Sequence, residues 1–470
     1  MKIAEYTQTE NLQEQIDFVK TTNHEKADIA QLKKQWKVSE HKTIKDKDYL
    51  PDKEIKDENG NLLRYKKVNR LAVPFQKLIV NNAVTFGFGN EVELVAEFEP
   101  NSDEERVYTA IKRILEDNKI HVHNRKVAKE CYRASEVAEL WYYEKADEPH
   151  EDYGFPCDYR VKVKLLTPWN GEKLYPHFDA YDKMQIFARN YYIRQGKQRI
   201  ECMDIFSDEE FRSLQKINGE WVENQDVFYL SKTIHKIPVI YAQQEDAEWA
   251  DVQYDIERLE LLFSRHAEIN DYHAAPKTFI EGGLISTPQA GEANSILQGE
   301  AGSKAYVLSW NDSPESVKLE INTRLSNIFK FTKTPDVSFE NIKGLSQVSG
   351  VMLKMLFMDA HIKVLEKEEI WDDFFERRFN LLKTYVGKLL NPKLDLASKK
   401  LRLKPKFNPY FIDDQKTWIE TLMTANGNKP LISQEKSAEL SRLTGKKDWE
   451  TLQKEMEEES HSDVFTETDL

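Results

Sequence analysis

Cysteine is scarce: Cys131, Cys157 and Cys202 are the only three in 470 residues. An odd number without close CxxC spacing indicates neither a disulfide framework nor a zinc site, and suits a reducing cytoplasm. Long apolar runs are missing as well. No stretch of about eighteen apolar residues occurs, and the first thirty residues hold no apolar core of the signal-peptide kind. The chain is expected to be neither secreted nor membrane-spanning. Basic charge is in deficit, since Asp and Glu outnumber Lys and Arg by 81 to 67 for a net charge of -14. A protein that simply coats DNA would be basic. The deficit is uneven: Lys454 to Leu470 holds seven acidic residues against one lysine, and such an end is expected to be solvated and mobile.

Catalytic signatures are missing too. The Gly-Lys pairs at 196, 387 and 445 lack the upstream glycine of a phosphate-binding loop, so an ATP-driven motor is not expected. Phe86-Gly87-Phe88-Gly89-Asn90 has two glycines but no third at dinucleotide-binding spacing, and it reads as a helix stop. His121 and His123 would point the same way on a strand and could form half a metal site. No H-E-x-x-H or other ligand cluster accompanies them, so the pair reads as structural or surface. No G-x-S-x-G element is present, and carboxylates are too abundant for a catalytic pair to stand out. No catalytic residue, metal or cofactor is assigned.

What is present is 40% hydrophobic content, enough for real cores in about two to four compact units. The first sixty residues are polar and charge-dense, with a short helix at Asn11 to Lys20, and read as an arm without a core. Helical spacing covers Arg70 to Phe86, ending at Gly87 and Gly89, and Asp103 to Asp117. Between Ala138 and Tyr241 the pattern turns to strands at 140–143, 159–165, 191–193 and 227–230, with an Asn218-Gly219 turn. Helices followed by an antiparallel meander predict an α+β domain. Asp246 to His273 predicts one long helix. Strands at Lys277 to Glu281 and Lys304 to Trp310 bracket a glycine-rich insert, and Ser313 with Pro314 starts another helix that stops before Pro335. A polar stretch at 333–349 precedes a helix over 350–390 that would be roughly 60 Å long. After Pro392, residues 400–404 alternate as an edge strand whose basic side chains read as solvating. Three short helices finish the chain.

Four stretches, in this order and spacing, resemble the shorter siphophage type of phage portal protein over most of the chain. They are Asn69-Arg70 through Phe86-Gly87-Phe88-Gly89; His235 to Tyr241 leading into the helix from Asp246; Gln347-Val348-Ser349-Gly350-Val351-Met352-Leu353-Lys354; and Leu431 to Glu435 followed by Asp448-Trp449-Glu450. The third matches a Ser-Gly-x-x-Leu-Lys helix start and is the most specific.

The resemblance implies a portal-type α+β subunit. Its parts would be an N-terminal arm at 1–60, an α/β wing at 61–245, stem helices at 246–273 and 312–332, and a small α/β clip at 274–311 between them. A tunnel loop at 333–349, a long helix at 350–390, a helical crown at 391–458 and an acidic tail at 459–470 would follow. It further implies a ring of about twelve subunits that conducts double-stranded DNA without reading sequence. The ring would dock the large terminase subunit, the major capsid or scaffold protein and head-completion proteins, at the capsid vertex of a virion assembled in the bacterial cytoplasm. The acidic balance suits a channel that must pass phosphates without gripping them. Lys330, Lys333, Lys343 and Gln347 are the implied channel residues; Lys277, Glu281, Gln289, Gln298 and Lys304 are the implied clip docking residues. The competing readings are a nuclease-like phage enzyme and a virion assembly protein that encloses no DNA path.

Overall fold

The computed structural model describes residues 1–21, 26–224, 231–273, 277–286, 298–299, 302, 304–308, 314–336, 355, 357–410, 415–426, 433–441 and 449–456. Of the residues singled out above, Gln289, Ser313, Lys343, Gln347, the 347–354 motif, the 227–230 strand and the acidic tail lie outside them.

Three helices open the chain, α1 (Ile3–Thr7), α2 (Leu12–Lys20) and α3 (Ile29–Trp36). Asn11 accepts the amides of Gln13 and Glu14, and Asp28 those of Ala30 and Gln31, which satisfies donors that α2 and α3 cannot bond internally. Next come α4 (Lys42–Lys45) and a hairpin of β1 (Lys53–Lys56) and β2 (Leu62–Lys66). Then follow α5 (Phe75–Phe88), β3 (Glu93–Ala96), α6 (Asp103–Asp117) and α7 (Ile120–Ala134). Ser102 caps α6 at the Glu105 amide, with three carboxylates in the first turn at the positive end of its dipole. Gly87 does not stop α5, which runs on to Phe88. Gly89 caps it, its amide donating to the Thr85 carbonyl at 2.8 Å, and a side chain there would crowd that carbonyl and Tyr410.

Strands β4 (Glu136–His150), β5 (Cys157–Leu166), β6 (Lys173–Phe178), β7 (Met184–Gln195), β8 (Gln198–Phe206), β9 (Phe211–Ile217) and β10 (Glu220–Glu223) follow. Short α8 (Ser231–Ile234) leads to β11 (Val239–Gln243). Strands β6 to β10 form the expected antiparallel meander, and β11, β4 and β5 a separate three-stranded sheet in the order β11-β4-β5. Asn218 and Gly219, both at positive φ, make the β9–β10 turn.

Helix α9 (Gln253–His273) and helix α10 (Pro314–Phe331) flank β12 (Lys277–Glu281), β13 (Leu284–Ser286), β14 (Gln298–Gly299) and β15 (Lys304–Leu308). Helix α11 (Met358–Thr384) runs into a π-helical turn at Tyr385–Leu390. Lys399 and Lys400, expected on a strand, end α12 (Asp395–Lys400): Asn391 caps the preceding turn, and Asp395 holds Lys399 one helical turn on. The strand is β16 (Leu403–Lys406), paired with β3. Helices α13 (Gln415–Asn426) and α14 (Gln434–Ser441) and a helical stretch at 449–456 complete the described chain.

Two units result, 1–336 with 359–410, and 337–358 with 411–470. Residues 391–410, expected with the crown helices, therefore pack with the first unit. That unit's main core joins Ile111 and Ile114 of α6, Val127 and Cys131 of α7, Trp141 of β4, Trp249, and Trp371, Phe375 and Leu382 of α11. Trp371 meets Phe88 and Phe374 edge-on at 5.2 and 5.4 Å. All three cysteines are free and buried. The first sixty residues are not a coreless arm. Ile3, Ile16 and Val19 are fully buried against Ile186, Met203, Ile205 and Leu214 of the meander, because short helices gather apolar side chains that are sparse along the chain.

Candidate functional site

Helices α9 and α10 pair antiparallel, as their ion pairs show: Asp255 takes Arg324, and Arg258 donates to Glu320 at 2.9 Å. The hydrogen bond from Arg258 holds the Glu320 carboxyl below its usual value. Ile256 and Leu259 of α9 and Ile328 of α10 are buried. Other faces of the pair are bare, with Tyr254 73% and Leu319 68% exposed. Two helices of this kind bury only one stripe each and leave apolar surface for another chain to cover.

The segment from His41 to Leu71 straps α9 along its length. His41 Nδ1 lies 2.7 Å from Glu260 Oε1, which also accepts the Val73 amide. Ser264 Oγ accepts the Leu71 amide at 2.9 Å, and Glu268 takes Lys53 and the Asn69 amide. The polar N-terminal region thus holds α9.

At the far end of α10, Thr332 and Thr334 are buried and Lys333 turns the chain with φ 49. Beneath them Glu248 collects two ammonium groups of α11, Lys363 Nζ at 2.6 Å and Lys367 Nζ. Lys363 also donates to the Thr332 carbonyl at 2.9 Å, and Lys367 to Gln244 at 3.0 Å. Burial opposes the Glu248 charge, but the two ammonium groups outweigh it and hold the carboxyl below its usual value. This cluster anchors the residues from which the 337–349 stretch departs.

The implied channel residues divide accordingly. Lys330 is exposed, and no carboxylate holds its ammonium among the described residues. Lys333 is partly covered and paired with Glu366. In the insert, Lys304 lies directly opposite Glu281 across β12 and β15, and both are exposed. Lys277 sits at the other end of that ladder, opposite Leu308, and Gln298 pairs with Ser286 in the shorter ladder. Phe279 and Tyr306 face each other across strands and are 54% and 47% exposed. The structure therefore brings together Glu281 with Lys304, and Lys330 with Lys333.

The sequence reading missed the most heavily bonded polar group in the body. Arg378 of α11 gives Glu139 of β4 two hydrogen bonds of 2.7 Å and Asn124 of α7 a third. Trp141 Nε1 donates to Glu139 at 2.8 Å, and His123 Nε2 lies 3.1 Å from it. Burial alone would raise the Glu139 carboxyl, yet Arg378 and His123 hold it down to about 2. His121 and His123 are on a helix, not a strand, because Ile120–Ala134 is helical throughout. The available signal was Arg378 itself, a charge in step with Trp371, Phe374, Phe375 and Leu382 on one helix face.

Among the described residues, no group of three or more His, Cys, Asp or Glu is placed to hold a metal, and no helix is long and apolar enough to cross a membrane. A family model described as phage portal protein, SPP1 Gp6-like, matches residues 20–462. No curated protein matches. Among solved structures, the chain is similar to one in the neck of an empty GTA particle computed with C6 symmetry, at 11% identity and a TM-score of 0.42, covering 78% of this chain and 89% of that one. It is also similar to a chain in the virion of a native gene transfer agent particle, at 10% identity and a TM-score of 0.44, covering 91% and 98%.

Proposed function

The chain belongs to the SPP1 Gp6-like family of phage portal proteins, and from that premise we propose that it closes with about eleven copies of itself into a DNA-conducting ring. The ring sits at the capsid vertex of the virion, assembles in the bacterial cytoplasm, and serves genome packaging, retention and ejection. It carries out no catalysis of its own. The large terminase subunit and head-completion proteins dock at the 277–308 insert, and capsid or scaffold protein contacts the outer sheets.

The observation that carries this reading is the α9–α10 pair. It is fixed to the body at one end by the Glu248 cluster and along one side by the 41–71 strap, yet leaves Tyr254 and Leu319 mostly bare. A closed ring covers such faces with neighbouring subunits, and apolar surface buried this way stabilises assembly by about 25 cal/mol per Å2. Within the ring, Lys330 and Lys333 act as point charges toward passing phosphates, joined by Lys343 and Gln347 of the tunnel loop. Glu281, Lys304, Lys277, Gln289 and Gln298 form the docking face of the clip.

Native mass measurement with negative-stain imaging of the purified chain tests the proposal. A ring of about twelve subunits with a central hole is expected. A monomer would sink the ring and favour the nuclease-like reading.

A further inference from the structure

The hairpin of β7 and β8 ends in a concentration of positive charge. Gln195 pairs with Gln198 across a two-residue turn in which Gly196 has φ 62 and Lys197 is exposed. One step inward, Arg194 stands directly opposite Arg199. Like charges in that position destabilise a ladder, and here nothing within the described residues relieves them: none of Arg194, Lys197 and Arg199 has a carboxylate partner. The Arg199 guanidinium lies 3.9 Å over the exposed Tyr192 ring, which holds it in place at the rim of an open cleft. Lys164 and Tyr191 line the same cleft. Its one carboxylate, Glu172, is already engaged by Arg189 and by the Thr167 amide.

The opposite arrangement is found at the tip of the β4–β5 hairpin. Asp147, Glu148, Glu151 and Asp158 are exposed and have no cation partner among the described residues, while Asp152 is taken by Arg160 at 2.6 Å. The cations of that tip are Lys145 and Arg160, and Arg160 is already taken by Asp152. The two tips belong to hairpins of different sheets, β7–β8 in the five-stranded meander and β4–β5 in the three-stranded sheet.

We infer that the cationic β7–β8 tip of one subunit docks against the acidic β4–β5 tip of the next copy of this chain. The inference rests on the ring proposed above. A cyclic ring has head-to-tail interfaces, in which one patch of each subunit meets a different patch of its neighbour. Two unlike charged tips on separate parts of the same unit provide such a pair. Charge across the contact fixes register and repels incorrect approach more than it adds affinity.

The test uses the full-length chain in four forms: wild type, the Arg194→Glu, Lys197→Glu, Arg199→Glu triple variant, the Asp147→Lys, Glu148→Lys, Glu151→Lys triple variant, and the two triples combined. Ring content is followed on dilution by native mass measurement at about 0.05 M and about 0.5 M salt, with melting curves to establish folding. Each single-sided reversal is expected to raise the concentration at which rings dissociate about tenfold at low salt, and the combined variant to restore it. Wild-type rings with no effect of reversal, or no restoration on combination, would overturn the inference. So would cationic-tip variants that assemble normally but lose duplex DNA, because the tip would then serve nucleic acid. A wild-type chain that forms no ring strikes the ring reading itself.

Discussion

Arg378 is 1% exposed and makes three hydrogen bonds inside the main core, whereas Leu319 of α10 and Tyr254 of α9 are 68% and 73% exposed. Charge goes inward in one region and apolar surface goes outward in the other. The main core tolerates a buried guanidinium because each of its three nitrogens donates to Glu139 or Asn124 and the Phe374 and Phe375 rings pack against it. Helices α9 and α10 tolerate bare leucine and tyrosine because Ile256, Leu259 and Ile328 join the main core on one face while ion pairs and the 41–71 strap hold the pair together. If the ring proposed above forms, stability of the single chain resides in the main core and the surface for assembly in α9 and α10.

The sharpest way to break this contrast is Arg378→Met. It leaves Glu139 buried with only His123 and Trp141 near it, and removing one partner of a buried pair costs about 3–5 kcal/mol. Denaturant unfolding of the single chain reads the loss. Adding Glu139→Gln should recover part of it, and a loss below about 1 kcal/mol would show that the network does not hold the body together.

Acid probes the same region with a smaller effect. Glu139 and Glu248 both have carboxyls held below their ordinary value. The unfolded chain therefore binds protons more readily than the folded one as pH falls. The stabilisation is present above the unfolded value of about 4.5 and is lost on acidification, through about 2 for Glu139. Melting temperature should drop between about pH 5 and pH 2, and Glu248→Gln should flatten the drop while lowering neutral stability by about 2 kcal/mol. An unchanged acid profile in that variant would remove Glu248 from the account.

On α9 and α10 the expectation reverses. Leu319→Asp should change the stability of the single chain by less than about 0.5 kcal/mol, because the side chain is already in water. Rings should nevertheless be lost in native mass measurement, since the substitution places a charge on a face that assembly covers. A variant that forms normal rings would show that this face stays exposed.

Periodicity carried the helices and strands because it reports burial on one face, and it succeeded best for α6 and α10, while the helix expected from Asp246 starts at Gln253 and, of the expected strands, 191–193 lies in the meander whereas 140–143 and 159–165 lie in the other sheet. It failed where burial depends on partners far along the chain. Ile3, Ile16 and Val19 are isolated among polar residues and find their core only on strands near residue 200. His123 has no local mark distinguishing helix from strand, and its role depends on Glu139 across α7 and β4. Lys363 and Lys367 read as an ordinary charged face of a long helix, because the carboxylate that buries them arrives from Glu248, over a hundred residues earlier. For the implied channel lysines, sequence supplied the charge but not the pairing of Lys333 with Glu366.

That pairing supports the smallest effect. The Lys333–Glu366 pair is partly solvated, so breaking it should alter chain stability by less than about 1 kcal/mol. Lys330 has no such partner among the described residues, and its replacement should alter stability less still. If both side chains face DNA in the ring, Lys330→Glu with Lys333→Glu must weaken retention by repulsion, and the effect must fade as salt screens it. Each phosphate contact removed lowers the slope of log affinity against log salt by about one, so the double variant should lower it by about two. Glu366→Gln makes the complementary case, because it leaves Lys333 charged and unpaired. Retention should then be unchanged or improved. Rings of the double variant that hold duplex DNA with wild-type affinity and salt slope would show that these lysines end the stem helix without lining a channel.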